Sequence, residues 1–289
     1  MGQPHKPVML GEVLDVLRPQ KGESYLDLTA GFGGHARAIL EQTGAYEKSV
    51  LVDRDQTALY SLSDLTAKGA ITMHADFLTA VSAFFVEKRR FDMILADLGV
   101  SSPQLDEGER GFSFTNPGDL DMRMDKTRDL SAKTIVNTYS EHNLAQIFEI
   151  YGEITGGMAA KIAREIVHNR PITTTTELAA LIKKNSPHSR RHPATQYFQA
   201  IRIVVNDELG LLERTLPMLP DLLNPGGRLC VITFHSLEDR IVKNWLADEA
   251  GKGLESRLAV SKKLYTSGVS ELENNPRARS AKMRFAARV

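Results

Sequence analysis

The chain has 289 residues, with 36 acidic and 36 basic side chains and 42% hydrophobic residues. This composition is typical of a globular protein with one large domain and room for a smaller one, and it indicates neither a coiled coil nor extensive disorder. The single cysteine, Cys230, excludes an intramolecular disulfide and a multi-cysteine zinc site, and it lies in an apolar run where burial is the expected role.

The chain shows no feature of secretion or membrane insertion. Its amino-terminal segment has no apolar signal core, and no apolar run approaches the roughly 18 residues that a membrane span needs. A single cysteine also suits a reducing compartment. We therefore expect a cytoplasmic protein without a membrane partner.

Four aspartates in the first hundred residues each close a short apolar run. They are Asp27, Asp53, Asp76 and Asp97, and the roughly 21 to 26 residues between neighbours suit strand–helix–strand units. Crossover connections make successive strands parallel, so their carboxyl ends lie on one edge of the sheet, where ligands of open α/β sheets bind. The pattern predicts a nucleotide-type pocket on a parallel α/β sheet.

A glycine-rich turn follows the first of these aspartates. It contains Gly31, Gly33 and Gly34 and leads into a segment with the composition of a helix. Glycine permits a sharp turn and a close approach of the backbone to a ligand. Asp53, about 20 residues beyond Gly33, is placed to accept hydrogen bonds from both hydroxyls of a ribose. These features fit NAD as well as S-adenosylmethionine (SAM).

Two observations favour SAM over NAD. Asp27, directly at the turn, would repel a pyrophosphate and attract an ammonium or sulfonium group. Asp97 is followed by Ser101, Ser102 and Gln104, a polar cluster that a hydride carrier does not need. Helix capping is the structural alternative for the aspartates. A metal site is disfavoured, because four strand ends cannot all converge on one ion.

After Pro103 the pattern changes to helical periodicity, and strand-like segments stop for about ninety residues. The clearest helix in this stretch begins at a capping box formed by Thr174 and Glu177. We therefore predict an inserted all-helical domain. The predicted bounds are 108–194 for this insertion, and 1–107 with 195–289 for the sheet domain.

The remaining part of the chain returns to the sheet. Apolar residues at steps of three and four after Pro193 predict one long helix that reaches Leu216 and covers the sheet. A turn leads into a fifth strand at 228–233, and His235 stands at the start of another helix. Alternation over 283–289 predicts a final strand with one buried face.

Basic residues are concentrated in two segments although the net charge is zero. These segments are 188–192 and 277–288. Solvated surface charge is the simple explanation for either one. Two such segments on a protein with a nucleotide-type pocket also suit a polyanionic substrate.

Several motifs make the chain resemble the ribosomal RNA small subunit methyltransferase H family, also called the MraW family, essentially from end to end. The most specific motifs lie at 97–105, 110–114, 120–125, 192–195, 234–240 and 275–280. Members of this family are bacterial enzymes that methylate the 4-amino group of a cytidine in the decoding region of 16S ribosomal RNA. The resemblance implies a Rossmann-like SAM-dependent methyltransferase sheet, SAM as cofactor and 16S rRNA, within the small ribosomal subunit, as partner. A homodimer is left open.

The resemblance also assigns roles to individual residues. It implies a cofactor site formed by Gly33, Gly34, His35, Asp53 at the ribose, Phe77 on the adenine, Asp97 and Gln104. Asp27 is added to this set because its carboxylate would attract the ammonium or sulfonium group of SAM. The segment Leu28-Thr29-Ala30 departs from the family pattern, and the stretch from 251 to 265 looks shorter than in many relatives.

For catalysis, Asp97 is the first choice to accept hydrogen bonds from the cytosine amino group, aided by Ser101 or Ser102. Contact with the cofactor alone is the alternative for Asp97. His235 is a less favoured candidate for general base, because a histidine at a helix start is more often a cap.

RNA binding has its own candidates. They are Arg110, Arg123, Arg191 and Arg279, whose guanidinium groups suit phosphates or unstacked bases. An NAD-dependent oxidoreductase and a non-catalytic RNA-binding factor are the competing functions.

Overall fold

The computed structural model describes residues 7–187 and 192–289. The chain divides into two compact units. The first unit continues to Gly99 and resumes from Leu209 to Val289, and the second is Val100–Glu208. Within the described ranges, no helix combines the length and the hydropathy that crossing a lipid bilayer requires.

The helices and strands are as follows. The strands are β1 (Tyr25–Asp27), β2 (Val50–Asp53), β3 (Ile71–His74), β4 (Phe91–Asp97), β5 (Leu223–Thr233), β6 (Leu258–Val260), β7 (Tyr265–Thr266) and β8 (Lys282–Arg288). The helices are α1 (Leu10–Leu17), α2 (Gly34–Thr43), α3 (Gln56–Tyr60), α4 (Ser63–Thr66), α5 (Phe77–Glu87), α6 (Ser102–Asp106), α7 (Ala132–Thr138), α8 (Glu141–Gly152), α9 (Gly156–His168), α10 (Thr175–Asn185), α11 (Ala194–Asn206), α12 (Glu208–Thr215), α13 (Ser236–Gly251) and α14 (Val269–Asn274).

The first unit is built on one mixed sheet with the order β3-β2-β1-β4-β5-β8-β6, in which β7 also pairs with β8. Strands β1 to β5 are parallel, and β8 is antiparallel to its neighbours. From β1 the chain proceeds to β2 on one side, whereas β4 lies on the other, so the sheet has a topological switch point between β1 and β4. The predicted Rossmann-like α/β fold is confirmed.

Both faces of this sheet are covered by apolar side chains. Because successive residues of a strand point to opposite faces, Leu26 and Ile94 contribute to one core, together with Val81 of α5. Tyr25 and Met93 contribute to the other. Burial on both faces explains why the central strands read as continuous apolar runs rather than as an alternating pattern.

The second unit is helical and has a separate apolar core. Phe148 of α8, Ile162 of α9 and Ile201 of α11 belong to this core, and α8 packs against both other helices. The predicted capping box is confirmed: Thr174 Oγ1 accepts a hydrogen bond from the Glu177 N–H at 3.2 Å, and Glu177 Oε2 accepts one from the Thr174 N–H at 3.1 Å.

The prediction of one long helix from Pro193 to Leu216 is wrong. Asp207 adopts a left-handed conformation with φ of 49° and separates α11 from α12. The apolar residues of α11, including Phe198, lie in the core of the helical unit, whereas Leu211 and Leu212 of α12 lie in one core of the sheet unit, so the second half of the predicted helix packs on the sheet as expected. The compact unit Val100–Glu208 consequently extends beyond the predicted insertion at both ends.

The last strand also differs from its prediction. β8 pairs with β5 on one side and with β6 and β7 on the other, so it is not an edge strand. Met283 packs into the core on one face and Ala286 into the core on the other. Because β8 is covered on both faces, the alternation of apolar and polar residues over 283–289 wrongly indicated a single buried face.

Candidate active site

The turn after β1 depends on glycine at two positions. Gly31 and Gly33 have φ of 50° and 80°, in the left-handed region. A Cβ atom on Gly33 would lie 2.5 Å from Leu62 Cδ2 and 2.7 Å from Arg37 Nη1. Helix α2 begins directly after this turn, so backbone N–H groups at its start lie beside the switch point.

Asp53 ends β2 and connects it to the glycine turn. Its Oδ2 accepts a hydrogen bond from the Gly31 N–H at 2.7 Å, and its Oδ1 accepts one from the Asp55 N–H at 2.8 Å. Burial raises the pKa of this carboxyl, although both hydrogen bonds favour the ionised form. A carboxylate oxygen has two lone pairs, so each oxygen can also accept a hydroxyl group.

Asp27 ends β1 and is only 1% exposed. Its Oδ2 accepts a hydrogen bond from the Tyr25 hydroxyl at 2.7 Å, and its Oδ1 accepts one from the Thr29 N–H at 3.2 Å. Burial raises its pKa to about 7, against the opposing effect of these hydrogen bonds. A cation nearby would therefore strongly favour the ionised form.

Asp97 ends β4 on the other side of the switch point. Its N–H donates to Thr29 Oγ1 at 2.6 Å, and its Oδ2 lies 3.6 Å from His35 Nδ1. Its Oδ1 is buried and accepts no hydrogen bond from the part of the chain that the structure describes. Burial, followed by the charges of Asp27 and Glu238, raises the pKa of this carboxyl well above its ordinary value.

The helix after β3 supplies the predicted aromatic residue. Asp76 caps α5 by accepting a hydrogen bond from the Thr79 N–H at 2.9 Å, so the structural interpretation holds for this aspartate. Phe77 is the first residue of α5 and packs with the apolar core on the Leu26 face of the sheet.

Comparison with known proteins decides the family of the chain. The model of the MraW methylase family matches residues 2–289. The chain belongs to the MraW methylase family.

Its relatives include three proteins named Ribosomal RNA small subunit methyltransferase H. The one from Synechocystis sp. is 43% identical, with 99% of this chain and 93% of the relative covered. The one from Cyanothece sp. is 46% identical, with 99% and 95% covered. The one from Halothermothrix orenii is 41% identical, with 99% and 98% covered.

The cofactor of this MraW methylase is SAM, as predicted. The side chains at the switch point fit its chemistry. Buried carboxylates at Asp27 and Asp97 attract a positively charged group, and Asp97 Oδ1 is an acceptor without a donor among the described residues. Asp53 offers carboxylate oxygens to hydroxyl donors, and the glycine turn that it contacts through the Gly31 N–H lies directly before α2.

Ser101, Ser102 and Gln104 of the methylase belong to the second unit. Ser101 precedes α6 and Ser102 begins it. The Ser101 N–H donates to Gln104 Oε1 at 3.0 Å, and the Gln104 side chain is buried. Their predicted roles toward cofactor and substrate remain predictions.

His235 of the methylase is the N-cap of α13. Its Nδ1 accepts a long hydrogen bond, 3.4 Å, from the Glu238 N–H, and Glu238 Oε2 accepts hydrogen bonds from the N–H groups of Phe234 and His235. Its Nε2 is buried and lies 3.2 Å from Glu238 Oε1. The capping role of His235 is therefore observed, and its role as a general base stays a prediction.

Two of the arginines predicted for RNA have structural contacts in the helical unit. Arg110 is 5% exposed, and its Nη2 donates to the carbonyl oxygens of Arg123 and Met124, each at 3.2 Å. Arg123 Nε donates to Asp121 Oδ1 at 2.6 Å, and this bond raises the pKa of Arg123. Both guanidinium groups therefore have contacts within the helical unit, and their contact with RNA stays a prediction.

The other two arginines fall in the basic segments. Arg191 lies outside the described residues. Arg279 is exposed. In the same segment, Lys282 and Arg284 form ion pairs with Asp239 at 3.0 and 2.7 Å, so part of its charge is neutralised within the protein.

Two further residues, Thr29 and Tyr25, belong to the site but were not predicted from the sequence. Thr29 connects the turn after β1 to the end of β4, because its backbone contacts Asp27 and its hydroxyl contacts the Asp97 N–H. Tyr25 stands two residues before Asp27 on the same face of β1, and this period-two spacing was the available signal.

Proposed function

We propose that this MraW methylase transfers a methyl group from SAM to the exocyclic N4 amino group of a cytidine in the decoding region of 16S ribosomal RNA. The names of its relatives support a substrate in the RNA of the small ribosomal subunit. The cytidine and its amino group are suggested by the motifs of the sequence and by the chemistry of Asp97.

One observation carries this proposal: Oδ1 of Asp97, at the switch point, is buried and accepts no hydrogen bond from residues 7–187 or 192–289. A buried acceptor that lacks a donor costs free energy, about 1–3 kcal/mol. A ligand amino group placed there would recover that cost. The Asp97 N–H donates a hydrogen bond to Thr29 Oγ1, and its other carboxylate oxygen, Oδ2, lies 3.6 Å from His35 Nδ1.

For methyl transfer, the protein has to position the two reactants and to stabilise the charge that develops between them. SAM supplies a methyl group already activated by a positively charged sulfur. The lone pair of the cytosine amino group is delocalised into the ring and is a poor nucleophile. By accepting a hydrogen bond from this amino group, Asp97 would increase its pyramidal character and stabilise the positive charge that develops on nitrogen.

The charge of the site distinguishes this proposal from dinucleotide chemistry. Burial raises the pKa values of Asp27, Asp53 and Asp97 at neighbouring strand ends, so a nearby cation would favour their ionised forms and a nearby anion would disfavour them. A pyrophosphate would add negative charge to this cluster, whereas an ammonium or sulfonium group offsets it. Membership in a methylase family agrees with this preference and removes the oxidoreductase alternative.

RNA recognition is proposed for the helical insertion and for the exposed Arg279. Exposure and charge support Arg279, while Arg110 and Arg123 are better suited to stabilising the helical unit. Ser101 and Ser102 are retained as proposed aids to the substrate, and Gln104 as a proposed cofactor contact. A homodimer remains an open prediction.

The test is methyl incorporation from labelled SAM into small ribosomal subunits that lack the modification, followed by identification of the nucleoside. The Asp97→Asn variant is compared with Asp64→Asn, which changes an exposed carboxylate. We expect label in N4-methylated cytidine for wild type and Asp64→Asn, and at least a hundredfold loss in Asp97→Asn.

Two results would overturn the proposal. Label in a different nucleoside would reject the substrate. No label, with SAM binding and RNA binding intact, would favour the non-catalytic RNA-binding factor instead.

A further inference from the structure

We propose that His35 is a positioning residue for Asp97: fixed by the Val8 carbonyl, its ring presents Nδ1 to Asp97 Oδ2 and shares a proton with it, which leaves Oδ1 as the acceptor for the substrate amino group. This inference rests on the proposed function. It gives the His35 side chain a task in the reaction that is separate from lining the cofactor site.

The tautomer of His35 follows from its contacts. The ring lies on α2 and is 6% exposed, and its Nε2 lies 3.0 Å from the Val8 carbonyl oxygen. A carbonyl oxygen can only accept, so Nε2 must carry hydrogen and donate. In the neutral ring, Nδ1 is then an unprotonated acceptor, and it lies 3.6 Å from Asp97 Oδ2.

Two acceptors facing each other require a proton between them. A carboxylate oxygen opposite an imidazole lone pair is repulsive, and one proton converts the pair into a favourable charge contact. A separation of 3.6 Å is longer than a hydrogen bond, and such contacts commonly shorten when a reacting complex forms. The pair is therefore arranged to hold one proton.

The acidic groups around Asp97 make a shared proton between His35 and Asp97 more favourable. Asp97 is influenced by the carboxylates of Asp27 on β1, Glu238 on α13 and Glu271 on α14. The buried side chains of Tyr25 and Cys230 also lie close enough to interact with it. The three carboxylates carry negative charge, so on their own they favour protonation of Asp97, whereas Tyr25 and Cys230 are held neutral by burial. In the proposed pair, a proton on His35 offsets these negative charges and favours the ionised form of Asp97.

This arrangement gives a balanced reaction. The nitrogen lone pair forms the new N–C bond, the electron pair of the broken C–S bond stays on sulfur, and the positive charge passes to nitrogen. The proton then leaves N4 and is accepted by Asp97 Oδ1. His35 stays protonated at both nitrogens, and the proton on Asp97 is released to solvent with the product.

The experiment is the pH profile of the single-turnover rate at saturating SAM with small subunits as substrate. His35→Gln places an amide near the position of Nε2, keeping the contact to Val8 but removing the group that faces Asp97. His35→Asn places an amide near the position of Nδ1, so it can donate to Asp97 without carrying charge. SAM affinity is measured separately for each protein.

We expect the acidic limb of the profile to move to higher pH by about one unit or more in both variants, because the cation that keeps Asp97 ionised is lost. His35→Asn should recover more of the rate at high pH than His35→Gln. Identical profiles for wild type and His35→Gln, at equal SAM saturation, would reject the inference while leaving the proposed function intact. Absence of methyl transfer in the wild type would instead reject the proposed function.

A measurement on the unmodified ring covers the case in which the variants do not fold. Nitrogen NMR of His35 in the wild-type protein should show hydrogen on Nε2 throughout, and Asp97→Asn should lower the pH at which Nδ1 loses its proton. A ring with hydrogen on Nδ1 only, or a titration unaffected by Asp97→Asn, would contradict the inference.

Discussion

Asp27 is a residue at which folding and cofactor chemistry oppose each other. It is buried beside Tyr25, and burial raises its pKa to about 7 from an ordinary value of 3.8. A raised carboxyl pKa means that the folded state binds the proton more tightly than the unfolded state. The resulting stabilisation is fully present below about pH 4 and is lost as the pH rises through about 7.

Replacing Asp27 by Asn should therefore flatten part of the pH dependence of stability. We expect the free energy of unfolding of Asp27→Asn, relative to wild type, to rise between pH 5 and pH 8 by about 2–4 kcal/mol, because the amide has the shape of the carboxyl but never ionises. Urea unfolding at a series of pH values without SAM measures this difference.

Asp64→Asn is the matched control. Arg37 lowers the pKa of this exposed carboxyl by a hydrogen bond. The ion pair therefore adds a small amount to the free energy of unfolding at neutral pH, and this amount is lost as the pH falls below the ordinary pKa of an Asp carboxyl. Its difference from wild type should be constant between pH 5 and pH 8. A parallel change in both variants would show that burial of Asp27 is not the cause.

Sequence patterns were most informative at residues whose role depends on local position. Asp27, Asp53 and Asp97 were predicted at strand ends and are found there, since apolar runs and strand–helix spacing determine that placement. Arg110 was predicted as an RNA contact and is buried. Exposure of a long side chain is decided by tertiary packing, which no single-residue pattern records.

The helix α2 shows how an element is positioned by its two ends. Gly33 precedes its first residue and Gly44 follows its last, and both have positive φ. Space is available at Gly44, where a Cβ atom would have no neighbour within 4 Å. At Gly33 it would overlap Leu62 and Arg37, whose guanidinium donates to the Ser61 carbonyl and to Asp64.

Alanine substitutions at these two glycines should separate backbone strain from packing. Gly44→Ala should cost about 1–2 kcal/mol of stability, the expected cost of a left-handed alanine, and should leave SAM affinity unchanged. Gly33→Ala should cost about 1–3 kcal/mol more and weaken SAM binding at least tenfold, because the added methyl group must displace the ends of the Leu62 and Arg37 side chains beside the turn. Chemical denaturation and calorimetric titration with SAM provide the two measurements.

Wild-type SAM affinity in both variants would contradict the placement of the cofactor at the glycine turn. A loss of affinity in Gly44→Ala as large as in Gly33→Ala would show that α2 as a whole, rather than its first turn, controls binding.

Elements were predictable where the chain carries explicit start and stop signals. The capping box at Thr174 and the parallel strands ending in aspartate are such signals, and both are confirmed. The break at Asp207 was not predictable, because the apolar periodicity continues across it and no glycine or proline lies between Ala194 and Leu209. Assignment of α11 to the helical unit depends on packing partners far away in sequence, which periodicity does not identify.

The whole molecule has separate apolar cores in its two units. One core contains only residues of Val100–Glu208, and the two cores on the faces of the sheet contain only residues of the first unit. Separate cores commonly make separate cooperative units, whose amide hydrogens exchange at different free energies. A ligand stabilises the cooperative unit to which it binds, by about 2.7 kcal/mol at a hundred times its dissociation constant.

We therefore expect SAM at that concentration to slow hydrogen exchange about a hundredfold at Leu51 and Leu95 in the sheet, and much less at Phe148 and Ile162 in the helical unit. The same concentration of NAD should change neither set, because the carboxylates at the switch point disfavour a pyrophosphate. Hydrogen exchange followed by mass spectrometry resolves these segments. Equal protection of both units by SAM would mean that they unfold together despite their separate cores, and protection by NAD would remove the electrostatic argument for the cofactor.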